Sequence, residues 1–320
     1  MSVAGRYFTV FQEPWWLEAA APGEWDEVAV ESGGQVVARL PFTIRKEGRL
    51  RTLTQPPLSQ TLGPWIAPTK ANGPRALSRE NKLFEELINR LPTHDSFYQN
   101  FAPQLTNWLP FYWSGFSETT RYTYQIPLDR PLESILAGMD KKNRSQLRKA
   151  SKHIIAGREE DLDVFLRLNR STFARQDKEV PYSDAYVERL DNAVKRNASR
   201  TIIIARDAGD GRPLAGIYMV HYGDTTHSLM SGVDEAARAE NPMIVARWES
   251  IRVASETSRV LDLHGSMMRG IERRNRNYGA NQVPLMTVSR KGPRALRAAV
   301  LDQARQRVQR QVGRLAKLLP

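Results

Sequence analysis

The sequence predicts an α+β protein with a mixed, largely antiparallel sheet. Two hairpin signals, Gly209-Asp210-Gly211 and Gly223-Asp224, join three strand-like runs (Arg200 to Arg206, Pro213 to Tyr222, Thr225 to Val233) into an antiparallel meander. A helix-period stretch, Met243 to Ser258, separates the meander from a short apolar run, Val260 to Leu263. Helices precede the meander instead of alternating with its strands, which argues against a repeated βαβ array.

The remaining elements follow in chain order. Pro14 is placed to open a helix that Pro22-Gly23 ends. Trp25 to Glu31 and Gln35 to Lys46 read as strands joined through Ser32-Gly33-Gly34, with a third strand from Leu50 to Thr54. The proline-rich loop Gln55 to Pro68 carries Leu62 and Trp65, as a binding lip or as the loop's own anchor. Arg75 to Leu91 has helical spacing, and Pro92 stops it. Ser96 to Phe101 and Phe111 to Phe116 are aromatic-rich and strand-like, and Thr119 to Leu128 alternates as a strand does. A first unit is therefore expected over 1–120 and a second over 121–292. After Asp129-Arg130-Pro131 one helix is expected to run into the basic cluster, and further helices over Glu159 to Arg175 and Ser183 to Asn197. Val260 to Leu263 then leads through Gly265-Ser266 into an Arg-rich helix closed by Gly279, followed by a last strand, Val283 to Val288, and a basic amphipathic helix over 293–320.

Charge and composition narrow the function. The chain has 320 residues, 41% of them hydrophobic, enough to bury a sizeable core, and no cysteine, which excludes disulfides and thiolate chemistry. No uncharged apolar run approaches the roughly 18 residues of a membrane span, and no signal pattern opens the chain, so a cytoplasmic location is expected. The net charge of +12 attracts phosphates. Residues 294–320 hold seven basic side chains against one acid, a local +6, so half of the excess belongs to the C-terminal helix. A second concentration is the stripe of Lys141, Arg144, Arg148 and Lys152, within about 80° on a helical wheel. It is either a solvated face or a polyanion contact.

Known site patterns are mostly excluded. No glycine-rich dinucleotide fingerprint or phosphate-binding P-loop occurs, the five histidines are scattered without metal-ligand spacing, and Ser266 lacks a nucleophile elbow. Asp262 and His264 stand at the carboxyl end of a strand, where α/β proteins hold ligands. Asp262 could equally cap the following turn.

Three places resemble the GNAT acyltransferase superfamily, and within it the two-domain Fem-type branch. Lys142-Asn143-Arg144 through Leu147-Arg148-Lys149-Ala150 is similar to that branch's basic helix. Leu214-Ala215-Gly216 with Ser231-Gly232-Val233 resembles its paired strands. Leu261-Asp262-Leu263-His264-Gly265-Ser266, with Gly270-Ile271 and Tyr278-Gly279, resembles its D-F-x-G-S strand end and the motif beyond, except that Arg274 and Asn275 replace an aromatic and a lysine. The superfamily's pyrophosphate loop is missing, as it is from the Fem-type branch; Ala239-Glu240-Asn241-Pro242 takes its place.

The resemblance extends to about residue 292 and implies two tandem GNAT-like domains, with acyl transfer to an amine in the second. It implies acyl-CoA (acetyl-CoA) as donor or, as in some Fem-type members, aminoacyl-tRNA, with no metal. The expected acceptor is an amino sugar, possibly nucleotide-linked, or another cell-envelope or polysaccharide precursor. Under that reading Asp262, His264 and Tyr278 handle protons, while Arg144, Arg148, Ser266, Arg269 and Arg273 bind the donor or its phosphates. Each arginine could instead be a solvent-facing helix charge. Two rival readings are a non-catalytic RNA-binding protein and, for the tail, a weak peripheral membrane contact.

Overall fold

The computed structural model describes residues 7–174, 180–265 and 267–301. The first half runs through α1 (Pro14–Ala20), β1 (Trp25–Ser32), β2 (Gln35–Glu47), β3 (Leu50–Thr54), β4 (Trp65–Ile66), α2 (Gly73–Arg90), β5 (Ser96–Asn100), α3 (Leu109–Trp113) and β6 (Ser117–Pro127). The second contains α4 (Leu132–Gly138), α5 (Lys141–Ala150), β7 (Ile154–Glu159), α6 (Leu162–Ala174), α7 (Asp184–Asn197), β8 (Ser199–Asp207), β9 (Pro213–Tyr222) and β10 (Thr225–Val233). It ends with α8 (Pro242–Ala254), β11 (Val260–Asp262), α9 (Arg269–Asn277) and β12 (Asn281–Lys291).

The strands form one 12-stranded mixed sheet in the order β1-β2-β3-β5-β12-β6-β11-β10-β9-β8-β7, with β4 on the side of β2. The expected meander is present as β8, β9 and β10. Apolar layers cover both faces of its half of the sheet. Ile203, Ile217 and Leu261 pack under α4, α5 and α8 on one face. On the other face Ile204, Tyr218 and Val220 pack under α6, α7 and α1. A third core lies between α2, α3 and the first-half strands, around Phe84, Phe97 and Phe111.

Two segments cross between the halves. Helix α1 places Trp16, Ala19 and Ala20 in the core built by α6 and α7, and its Ala19 carbonyl accepts from Arg189 Nε of α7 at 2.7 Å. Strand β12 lies between β5 and β6, antiparallel to both. The division expected at residue 120 falls inside β6.

Local differences from the sequence reading have identifiable causes. Phe111 to Phe116, expected as a strand, instead contributes to the short helix α3. Pro110 is tolerated in its first turn, Phe111 is fully buried, and Gly115 at φ +79° turns the chain out. The single helix expected after Pro131 is two, because Asp140 accepts the Lys142 N–H at 2.8 Å and starts α5 afresh. The edge strand β7 carries no clear alternation and was not expected, and α6 therefore begins at Leu162 instead of Glu159. Leu62 and Trp65 are buried and Trp65-Ile66 pairs with β2, so these two side chains anchor the loop. The helix after β12 begins at residue 293, and its apolar arc lies largely outside the described residues.

Candidate active site

The site forms where two neighbouring strands part. β10 and β11 pair in parallel over three positions, the last being His227 opposite Asp262. Beyond that pair β10 continues to Val233, while the other strand ends and bends toward β6. His264 takes a left-handed conformation at φ +55°, unusual for a residue with a side chain. Gly265 then lies flat on β6: a Cβ there would stand 1.4 Å from the Tyr122 carbonyl oxygen, so no other residue fits. On the opposite side of the gap β10 bulges, leaving Leu229 without a partner on β9.

Asp262 is buried and fully engaged. It accepts hydrogen bonds from Thr123 Oγ1 at 2.5 Å, Gln125 Nε2 at 2.9 Å and the His264 backbone N–H at 2.9 Å. Burial works to raise its pKa, but the neighbouring imidazoles and these donors outweigh it and hold the carboxyl below its ordinary value. It therefore caps the turn and also faces the His264 ring, with Oδ1 at 3.7 Å from Nδ1. Asp262 is thus the cap of the turn, and the same carboxylate lines the cavity beside His264.

His264 Nε2 is buried with no hydrogen-bond partner. Burial lowers the pKa of this imidazole; Asp262 opposes the shift and Arg247 adds to it. The ring is thus neutral at pH 7, and with Nδ1–H toward the carboxylate its Nε2 lone pair is free to take a proton. His227 stacks against it, centroids 5.4 Å apart and planes 13° from parallel. Burial drives the His227 pKa down to about 3. Scattered in sequence, these two histidines meet in the fold.

His227, Asp262 and His264 also bring one ligand atom each to within 4.8 Å of one another. As the rings stand they do not fit a single ion. Imidazole lone pairs lie in the ring plane, and two stacked, nearly parallel rings direct them along separate planes. Both Asp262 oxygens also already accept hydrogen bonds. The cluster is better suited to moving a proton.

Two cavities meet at His264, and a third adjoins one of them. One of about 150 Å³ lies between the halves, bounded by Phe11, Gln60, Thr123, Gln125, Asp262 and His264. A groove of about 640 Å³ runs along the start of α8, with Lys142, Arg238, Arg273 and Arg274 among its walls. A junction of about 200 Å³ shares Gln60, His264 and Gly265 with the first and Ser231, Met243, Ile271, Arg274 and Tyr278 with the second. Tyr278 is buried, and burial raises its pKa.

Among the expected site residues, Asp262, His264 and Tyr278 gather here, and Arg273 lines the groove. Ser266 lies outside the described residues. Arg144 does not line the three cavities: its Nη1 donates to the Ala137 carbonyl at 2.7 Å and to that of Met139, closing α4. Arg148 and Arg269 are exposed and line none of the three. Helix α5 instead presents Lys142, Asn143 and Gln146 to the groove. Sequence reading missed these, along with His227, Thr123, Gln125 and the buried Arg247. The parallel register alone brings His227 to Asp262, so no local motif marks it.

Residues 139–273 match the acetyltransferase (GNAT) domain family, a stretch that includes β10, α8 and the turn at His264. The chain is similar in fold to FemX, with a TM-score of 0.66 at 13% identity over 88% of this chain and 93% of that one. It is also similar to the C-terminal domain of an Agrobacterium fabrum protein assigned as a lysylphosphatidylglycerol synthetase, with a TM-score of 0.58 at 13% identity over 90% and 91%. A tandem GNAT protein from the clavulanic acid biosynthesis pathway gives 0.52 at 11% identity over 87% and 88%. No curated protein matches the sequence. No helix among the described residues is long and apolar enough to cross a membrane. The match over residues 139–273 and the shared fold support a GNAT-superfamily acyltransferase with a fold like that of FemX and of tandem GNAT proteins.

Proposed function

We propose that the protein transfers an acyl group from acyl-CoA to the amine of a cell-envelope or polysaccharide precursor, an amino sugar or its nucleotide derivative. The observation that carries this reading is the unbroken series of cavities from a basic groove to the free Nε2 of His264. Lys142, Arg238, Arg273 and Arg274 give the groove the charge a phosphate-rich donor requires, and α8 opens into it with its positive end. The amine approaches from the cavity between the halves.

Each step has a group placed for it. The amine attacks the thioester carbonyl as His264 Nε2 takes its proton, with Asp262 stabilising the resulting imidazolium. The unpaired backbone at the Leu229 bulge lies beside the junction, where an N–H can stabilise the carbonyl oxygen. The C–S bond then breaks, and Tyr278, protonated at neutral pH, supplies the proton to the departing thiolate. No covalent enzyme intermediate is formed, consistent with a chain that has no cysteine.

A thermal-shift and turnover panel with acetyl-CoA, UDP-linked amino sugars and aminoacyl-tRNA tests the reading. A true ligand at 100 times its Kd stabilises the native state by about 2.7 kcal/mol. Stabilisation by aminoacyl-tRNA alone, with aminoacyl transfer to the acceptor, would replace the coenzyme A donor. Stabilisation by tRNA without turnover of any amine would reject catalysis in favour of RNA binding.

A further inference from the structure

Arg247 projects from α8 into the junction cavity, and at 7% exposure it is buried. Its partners among the described residues are weak for a guanidinium. Nη1 donates to Ser228 Oγ at 3.0 Å and, at the 3.5 Å limit, to Ser250 Oγ. Nε is buried with no acceptor. The Tyr278 ring lies 5.8 Å from the guanidinium carbon. No carboxylate among the described residues pairs with it, and no Asp or Glu lines the cavity, whereas Arg274 adds a second cation to the wall.

A buried guanidinium without a counter-ion is a costly arrangement, because removal from water is not offset by a paired charge. Burial does lower the Arg247 pKa, to about 10, but the group remains charged at neutral pH. Serine hydroxyls and an aromatic face leave most of its planar donor fork unused. That fork matches a carboxylate.

We propose that Arg247 forms an anion-receptive subsite in the junction cavity, and that the anion it takes is a carboxylate carried by the transferred acyl group. The position favours the acyl group over the acceptor. The reacting carbonyl must come within reach of His264, so the acyl tail occupies the junction between that ring and the groove. At about 200 Å³ the junction holds a short chain such as a four-carbon diacid half-ester or half-thioester. The same two cations disfavour an acyl group bearing an ammonium. The assignment to the acyl group rests on the acyl-transfer reading; anion binding at Arg247 does not.

Calorimetric titration of the full chain tests the subsite without turnover, with succinate and inorganic phosphate as probes and succinamide as the neutral control. Wild type is expected to bind succinate saturably and succinamide not at all. Arg247→Met is expected to weaken succinate binding at least tenfold while melting at the wild-type temperature or above, since apolar replacement of a buried charge is often neutral or stabilising. Equal succinate binding by wild type and R247M, or no saturable binding by wild type, overturns the subsite. If R247M does not fold, R247K provides the second test: it keeps the charge without the fork and should bind succinate more weakly with an unchanged melting temperature. In a second arm, wild type is expected to bind succinyl-CoA about tenfold more tightly than acetyl-CoA, a preference lost in R247M. Equal affinity for the two thioesters in wild type overturns the assignment to the acyl group. Succinate binding that depends on Arg247 while neither thioester binds upholds the subsite and rejects coenzyme A as the donor.

Discussion

Asp262 meets His264 twice, once through the backbone and once through the ring. Its Oδ1 accepts the His264 N–H at 2.9 Å and also faces Nδ1 of the same residue at 3.7 Å. One carboxylate thus fixes the strained turn and sets the electrostatics of the imidazole it presents. Replacing His264 with Gln should lower kcat by about 10²- to 10⁴-fold, the usual contribution of a general base, with the melting temperature little changed. Steady-state rates beside thermal melts check this, and a variant with wild-type turnover removes His264 from the mechanism.

The pH profile follows from the direction of the His264 shift. Burial keeps its pKa below 6.5, so the imidazole proposed as base is neutral throughout the physiological range. kcat/KM should stay level through neutral pH and fall only at pH below 6.5 as the ring takes a proton. Because the Asp262 charge raises the His264 pKa, Asp262→Asn should move that acid limb to still lower pH while reducing the plateau. A limb at or above pH 6.5 in the wild type would contradict the assignment.

His227 makes stability itself depend on acid. Its pKa falls from 6.5 to about 3 on folding, so the unfolded chain binds the extra proton between those values. The neutral ring's contribution is complete above pH 6.5 and is lost as pH falls toward 3. This one group gives a slope of up to about 1.4 kcal/mol per pH unit. Urea unfolding at a series of pH values measures the slope, and His227→Gln should flatten it.

Tyr278→Phe separates chemistry from binding. If Tyr278 donates the leaving-group proton as proposed, its loss should lower kcat on the order of 10²-fold and leave KM near its wild-type value. A change confined to KM would mean that Tyr278 only shapes the junction.

Far from the site, Asp191 accepts the Tyr218 hydroxyl at 2.8 Å and lies 3.1 Å from Arg200 Nε and 2.8 Å from Lys195 Nζ, with both Asp191 and Arg200 buried. Arg200 would keep the Glu160 carboxylate at 3.3 Å and the Glu159 and Glu160 carbonyls, so Asp191→Ala should cost about 1.5–3 kcal/mol in denaturant melts, the worth of the lost charged hydrogen bonds. A loss below about 1 kcal/mol would show that these remaining acceptors hold the Arg200 charge by themselves.

How far the sequence reveals all this depends on the range of each interaction. The meander and the turn at His264 are legible because glycines and alternation act over a few residues: Gly223-Asp224 sits between β9 and β10 as expected. Asp262, His264 and Tyr278 are legible as a group because one strand-to-helix unit carries them. His227 is not, since it lies 35 positions before Asp262 and joins it only through strand register. Arg247 reads as an ordinary helix charge until the fold turns that side of α8 inward. Arg144 shows the converse, a cation with phosphate-binding character that closes a helix. Phe111 to Phe116 misleads because aromatic residues suit a strand, whereas here a single buried ring, Phe111, organises a turn of helix.

The position of β12 bears on synthesis as well as on architecture. This strand occupies the middle of the sheet, between β5 and β6, yet ends at Lys291. While the chain is being made, the earlier strands can pair on either side, but the seam between them stays open until Lys291 has left the ribosome. The cavity beside Asp262 and His264 is completed at the same moment, because Leu285 of β12 is part of its wall. Termination between β6 and that strand would leave the edges of β5 and β6 facing each other unpaired, and the cavity beside Asp262 without its β12 wall.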